Sequence, residues 1–248
     1  MGTALDPARG GLAERLGTRW RDRSPARVGS AIGLTGLVAL TAVIVGIGLV
    51  LTKMLLSGSV GTWDDSVNRW FVGQRTATLD TLTALGSDMG STLTIVAIAF
   101  LSSVVLAIKR HWREVEMIVV ALTIEVSVFL LATLVVDRAR PDVRRLDVSP
   151  PTSSYPSGHT AAAIVLYVSL AVVISSLTSS RLARALAWML AVLLPISVGL
   201  SRLYRGMHHP TDVLASVLLA AGALTVAMLA ARTSSAIMQA RQPDRLAP

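Results

Sequence analysis

Six apolar runs limit what this chain can become. They cover residues 32–56, 92–108, 115–136, 159–177, 185–200 and 213–231, each close to the length that carries an α-helix across a hydrocarbon layer. A backbone in lipid must satisfy its own hydrogen bonds, so the expected fold is an all-α, polytopic membrane protein with six transmembrane helices. With 52% hydrophobic and 15% charged residues and a mean hydropathy of +0.62, little polar surface is left for a soluble alternative. The absence of cysteine removes disulfide and thiolate chemistry.

The formal charge of +8 would suit nucleic acid in a soluble protein, but here topology accounts for the arginines. Six spans put both termini on one side. That side would carry 14 of the 23 lysines and arginines, against 9 on the other, of which six lie in two polar loops. The positive-inside rule then places the termini in the cytoplasm, in a multi-pass cell-membrane protein. No nucleic-acid partner and no obligate protein partner is expected; the bilayer itself is. The domain reading is a basic cytoplasmic tail over 1–28, mostly disordered with room for a short surface helix, a six-helix domain over 29–232, and a cytoplasmic tail over 233–248.

Between the first two runs, Trp70, Phe71, Leu79, Leu82 and Leu85 fall roughly on one side of a helix over 67–85, expected to lie in the interface with Asp64, Asp65 and Asp80 in water. Glu125 interrupts the third run at its middle. A carboxylate is costly at that depth, so a neutral acid hydrogen-bonded to a neighbouring helix is expected, with a proton relay as the rival. Pro195 should bend the fifth span.

Parity brings four helix ends to one face, extracytoplasmic in this topology. The third span ends before Arg138 and Arg140, the fourth opens at His159, the fifth ends at Ser201 and Arg202, and the sixth begins at Asp212. With His208 these form one cluster, and Ser157 is set to cap the fourth span. Arginine forks, helix N-termini and paired histidines suit a phosphoryl group: guanidinium donors match its oxygens, and two histidines can divide attack from protonation. The arginines repel a cation, and no His-x-x-His or His-Glu-x-x-His spacing occurs, so neither metal nor cofactor is expected.

These residues resemble the type 2 phosphatidic acid phosphatase superfamily, which includes membrane lipid phosphatases and the soluble haloperoxidases. Its second motif is present as Pro156-Ser157-Gly158-His159, and its third as Ser201, Arg202, His208 and Asp212. The resemblance implies a helical-bundle phosphatase core shared with the haloperoxidases. His208 would be the nucleophile that forms a phosphohistidine, Asp212 its supporting acid and His159 the general acid. Arg140, Ser157, the Gly158 backbone and Arg202 would hold the phosphoryl oxygens. His209 and Arg205 receive no role. The first motif departs from the pattern: Arg140-Pro141 is present, but Thr133 stands where the family has lysine. Arg138 is expected to compensate as a phosphate ligand. The implied activity is metal-independent hydrolysis of a lipid phosphate or polyprenyl pyrophosphate; a non-catalytic lipid-phosphate-binding or transport protein is the alternative.

Overall fold

In the computed structural model, which describes residues 4–149 and 151–241, helices and loops account for the chain, and no strand occurs among the described residues. Helix α1 (Leu12–Arg19) precedes α2 (Pro25–Val50), which continues through one π-helical turn, Leu51–Leu55. Then come α3 (Ser59–Gly73), α4 (Ala77–Asp88), α5 (Thr92–Ile108), α6 (Trp112–Val135), α7 (Gly158–Leu177), α8 (Arg181–Tyr204) and α9 (Pro210–Ala240). Five of these segments are long and apolar enough to cross a membrane alone. Helices α4 and α5, which meet at 45°, make a sixth if the bent pair is counted as one span.

Packing follows from small residues. Helices α6, α7 and α9 meet through buried Ala121, Ala132, Ala161, Ala215, Ala220 and Ala223, which let backbones approach where lipid supplies no hydrophobic drive. Leu34, Phe100, Leu134 and Leu190 point outward, as lipid-facing residues do. Helix α8 packs on α7 and α4 and runs unbroken through Pro195.

Three expectations change. The interfacial helix over 67–85 is two helices, α3 and α4, separated at Gln74–Thr76, and the second bends into α5 at Gly90. Glycine is needed at that bend, because a Cβ there would lie 2.8 Å from the His159 carbonyl and 2.7 Å from Val198. The described part of the N-terminal tail is not loose. Leu5 is fully buried, Arg113 donates to its carbonyl (2.9 Å), Arg232 donates to that of Ala4 (2.8 Å), and α1 packs on α9 with Gly17 against Ala236. At the other end, α9 absorbs residues 233–240 of the expected tail; 1–3 and 242–248 lie outside the described residues.

Candidate active site

Helix α8 stops at Gly206, whose φ of +70° is a left-handed conformation that glycine adopts without strain. The N–H groups of Gly206 and Met207 return to the carbonyls of Leu203 and Arg202, and the chain turns back toward the bundle with His208. Two residues later, Pro210 occupies the first turn of α9, while the Asp212 carboxylate accepts the N–H of His209 (2.8 Å). The loop after α6 folds against this corner. Ser154 N–H donates to the Arg138 carbonyl (2.9 Å), and the Tyr155 hydroxyl donates to the Ile44 carbonyl (2.9 Å), tying the loop to α2.

This places the Ser154 carbonyl 2.7 Å from His208 Nδ1. A carbonyl only accepts, so Nδ1 carries the proton, and the neutral ring keeps its lone pair on Nε2. Burial, with the charges of Arg202 and Arg140, outweighs Asp212 and lowers the His208 pKa, which favours that neutral ring.

Asp212 is fully buried and serves several partners. One oxygen pairs with Arg138; the other accepts from the Ser154 hydroxyl (2.6 Å) and the His209 N–H (2.8 Å). Arg138 also pairs with Asp64 of α3 (2.5 Å) and donates to the Thr211 hydroxyl (2.7 Å). The expectation that Arg138 binds phosphate is therefore corrected: its guanidinium is held between two carboxylates and does not line the cavity beside His208. Asp64, expected in water, is buried because Arg138 and Thr211 take its oxygens.

That cavity, about 840 Å³, is lined at one end by Arg140, Gly158, His159, Arg202 and His208. Arg140 is held by the Met207 carbonyl (2.8 Å) and Arg202 by the Ser87 hydroxyl (2.8 Å). The Nε of each is buried without a hydrogen-bond partner, and the two guanidinium groups bring positive charge to the cavity wall, which favours an anion there. Helix α7 has no side-chain cap, so its first-turn N–H groups are also available beside Gly158 and His159. Gly158 leaves room for the Phe129 ring, which would have to shift for a Cβ placed 2.9 Å from its edge.

Ser157, expected both to cap α7 and to hold phosphate, makes no side-chain cap and has its hydroxyl turned away from the cavity. Its hydroxyl is buried 3.0 Å from that of Thr160, its N–H donates to the Ser216 hydroxyl (2.8 Å), and it does not line the cavity. The Thr133 hydroxyl returns to the Leu130 carbonyl (2.8 Å). Glu125 is buried, but no helix neighbour hydrogen-bonds it among the described residues; it lines the cavity instead.

Sequence reasoning missed Asp147. Its carboxylate sits on Arg202 (2.9 Å) and Arg205 (2.6 Å), at the cavity wall. Burial works to raise its pKa, but hydrogen bonds from Arg205 and the charge of Arg202 prevail and hold it below the usual carboxylate range. No signal in the sequence distinguishes it from Asp137 or Asp142 in the same loop. His209 and Arg205 have structural tasks: His209 bridges Asn68 and the Ala139 carbonyl, while Arg205 clamps Asp147. Among the described residues no group of three or more His, Asp or Glu is placed to hold a metal ion.

Residues 114–236 match the model of the PAP2 superfamily. The fold is similar to the crystal structure of the first transmembrane PAP2 type phosphatidylglycerolphosphate phosphatase from Bacillus subtilis, with a TM-score of 0.67 and 19% identity, over 77% of this chain and 93% of that one. It is also similar to Aquifex aeolicus LpxE, with a TM-score of 0.48 and 23% identity, over 65% of this chain and 92% of that one. No curated protein matches the chain significantly in sequence.

Proposed function

Because the chain belongs to the PAP2 superfamily, and so is a hydrolase of that family, we propose that this cavity hydrolyses the phosphate ester or pyrophosphate of a membrane lipid through a phosphohistidine. The observation that carries the reading is the convergence of Arg140, Arg202 and His159 on the cavity that His208 lines, with the Nε2 lone pair of His208 left free. His208 Nε2 attacks phosphorus as the bond to the leaving oxygen breaks, and His159, which takes up a proton together with the anionic substrate, gives that oxygen its proton. A water then attacks the phosphohistidine, loses its proton to His159, and releases phosphate and neutral His208. Arg140, Arg202 and the first-turn N–H groups of α7 stabilise the charge gathered on the equatorial oxygens. The arginine-rich donor set suits an anion and requires no divalent ion.

The remainder of the cavity supports a lipid substrate. Below the histidines it runs between α5 and α6 past Phe129, Val126 and Leu122, an apolar slot that a tail can enter from the bilayer, exchanging lipid contacts for side-chain contacts. The excess of arginine and lysine at the terminal end of the bundle supports cytoplasmic termini and an extracytoplasmic site.

The test is phosphate release from purified protein in vesicles, over a panel of lipid phosphates and without added metal. Turnover that His208→Ala abolishes, with an acid-labile phosphoenzyme in the natural chain, is the expected result. An absolute requirement for Mg²⁺ would overturn the scheme.

A further inference from the structure

Glu125 stands on α6, well inside a membrane-spanning helix, and is 3% exposed. Among the described residues it has no hydrogen bond and no ion pair, yet it lines the same cavity as His159 and His208. Around it the wall is apolar: Ile95, Ile118, Leu122, Val126 and Ala162. A polar group left alone in such surroundings is costly, and the cost is met by a partner. With no cation to pair with, the carboxyl stays neutral, and a neutral acid both donates and accepts.

Its depth identifies the partner. Glu125 lies one helical turn below Phe129, about 6 Å along the axis. The Phe129 ring packs on Gly158, at the level where α7 offers its first-turn N–H groups to a phosphate. A group bonded to that phosphate and reaching down the slot meets Glu125 within the length of a glycerol unit. In a glycerophospholipid this is where the ester or ether oxygens attach the tails, whereas a polyprenyl phosphate has only hydrocarbon there.

We propose that Glu125 hydrogen-bonds the oxygen-bearing linkage of a glycerolipid phosphate whose headgroup lies among Arg140, Arg202 and His208, and so selects glycerolipid over polyprenyl substrates. The inference rests on the lipid-phosphatase reading of the cavity and names its substrate class. It makes Glu125 a specificity-determining residue.

The experiment uses the full chain in phosphatidylcholine nanodiscs, with phosphatidic acid and a polyprenyl monophosphate as probes. Binding is measured in the His208→Ala background, and kcat/KM in the active chain. Glu125→Met should weaken binding of phosphatidic acid and lower its kcat/KM about tenfold, the equivalent of one hydrogen bond. The polyprenyl values should stay within twofold, and Glu125→Gln, which still donates and accepts, should recover most of the loss. Equal losses for both probes, or for neither, would overturn the proposal. Should Glu125→Met fail to fold, the unaltered chain decides: it should favour phosphatidic acid over an alkyl phosphate of equal chain length lacking linkage oxygens, and no preference overturns the idea. Glu125-dependent binding without turnover would sustain this inference and defeat the phosphatase reading, while turnover without Glu125-dependent preference would do the reverse.

Discussion

His208 Nδ1 lies 3.8 Å from the nearest oxygen of Asp212, beyond hydrogen-bond reach, while the ring donates to the Ser154 carbonyl at 2.7 Å. The backbone thus fixes the tautomer, and the carboxylate supports the ring by its charge. Where a carboxylate alone orients a catalytic histidine, changing it to the amide costs about 10⁴-fold in kcat. Asp212→Asn here should cost clearly less, on the order of 10²-fold, with the phosphoenzyme still detectable. A loss of 10⁴-fold or more in a folded variant would show that Asp212 sets the tautomer after all.

Arg138 and Arg140 should fail differently. Arg138 is buried between Asp64 and Asp212, so Arg138→Ala leaves two buried carboxylates without their cation and should destabilise the protein by about 3–5 kcal/mol. Arg140→Ala should leave the melting temperature nearly unchanged and raise the inhibition constant for orthovanadate at least tenfold. Thermal melts and inhibition curves on the two variants, side by side, check this. An Arg138→Ala protein of normal stability with weakened vanadate binding would return Arg138 to the phosphate site.

Asp147 occupies a guanidinium nitrogen of Arg202 that a phosphoryl oxygen could use. Asp147→Asn removes the competing charge, and orthovanadate should bind severalfold more tightly. The depressed pKa of Asp147 fixes the sign of the pH effect: its ion pairs are complete above the usual carboxylate value of 3.8 and are lost as pH falls through the lower folded value. The gain from Asp147→Asn should therefore be constant across neutral pH. Weaker vanadate binding in Asp147→Asn would instead make the acid a positioning partner of Arg202.

The lowered pKa of His208 gives a prediction of its own. The attacking ring must be neutral, and burial keeps it so at pH values where an ordinary histidine, at 6.5, would be half protonated. The His208-dependent acid limb of kcat/KM should therefore lie below 6.5, measured with a substrate whose own ionisation falls outside that range. A limb at or above 6.5, assigned to His208 by NMR titration of the ring, would contradict the observed burial.

The sequence by itself determined the helical class, the apolar segments and the end of the bundle at which the two intact motifs meet. Those follow from length, hydropathy and parity, which need no knowledge of neighbours: an apolar run must become a helix in lipid, and each crossing reverses the side. It also determined that Arg140, His159, Arg202 and His208 would share a site, because each sits at or just beyond a helix end. Which polar side chains face that site was decided only by tertiary structure. Arg138 and Arg140 stand two residues apart in one loop, yet one is drawn inward by Asp64 and Asp212 and the other lines the cavity. Ser157 turns to Thr160, Asp147 arrives from a loop with no local pattern, and Glu125 finds a cavity where a partnering helix was expected. Such choices depend on pairings between residues that are 58 or 74 positions apart, where the energy of one buried contact outweighs any local preference.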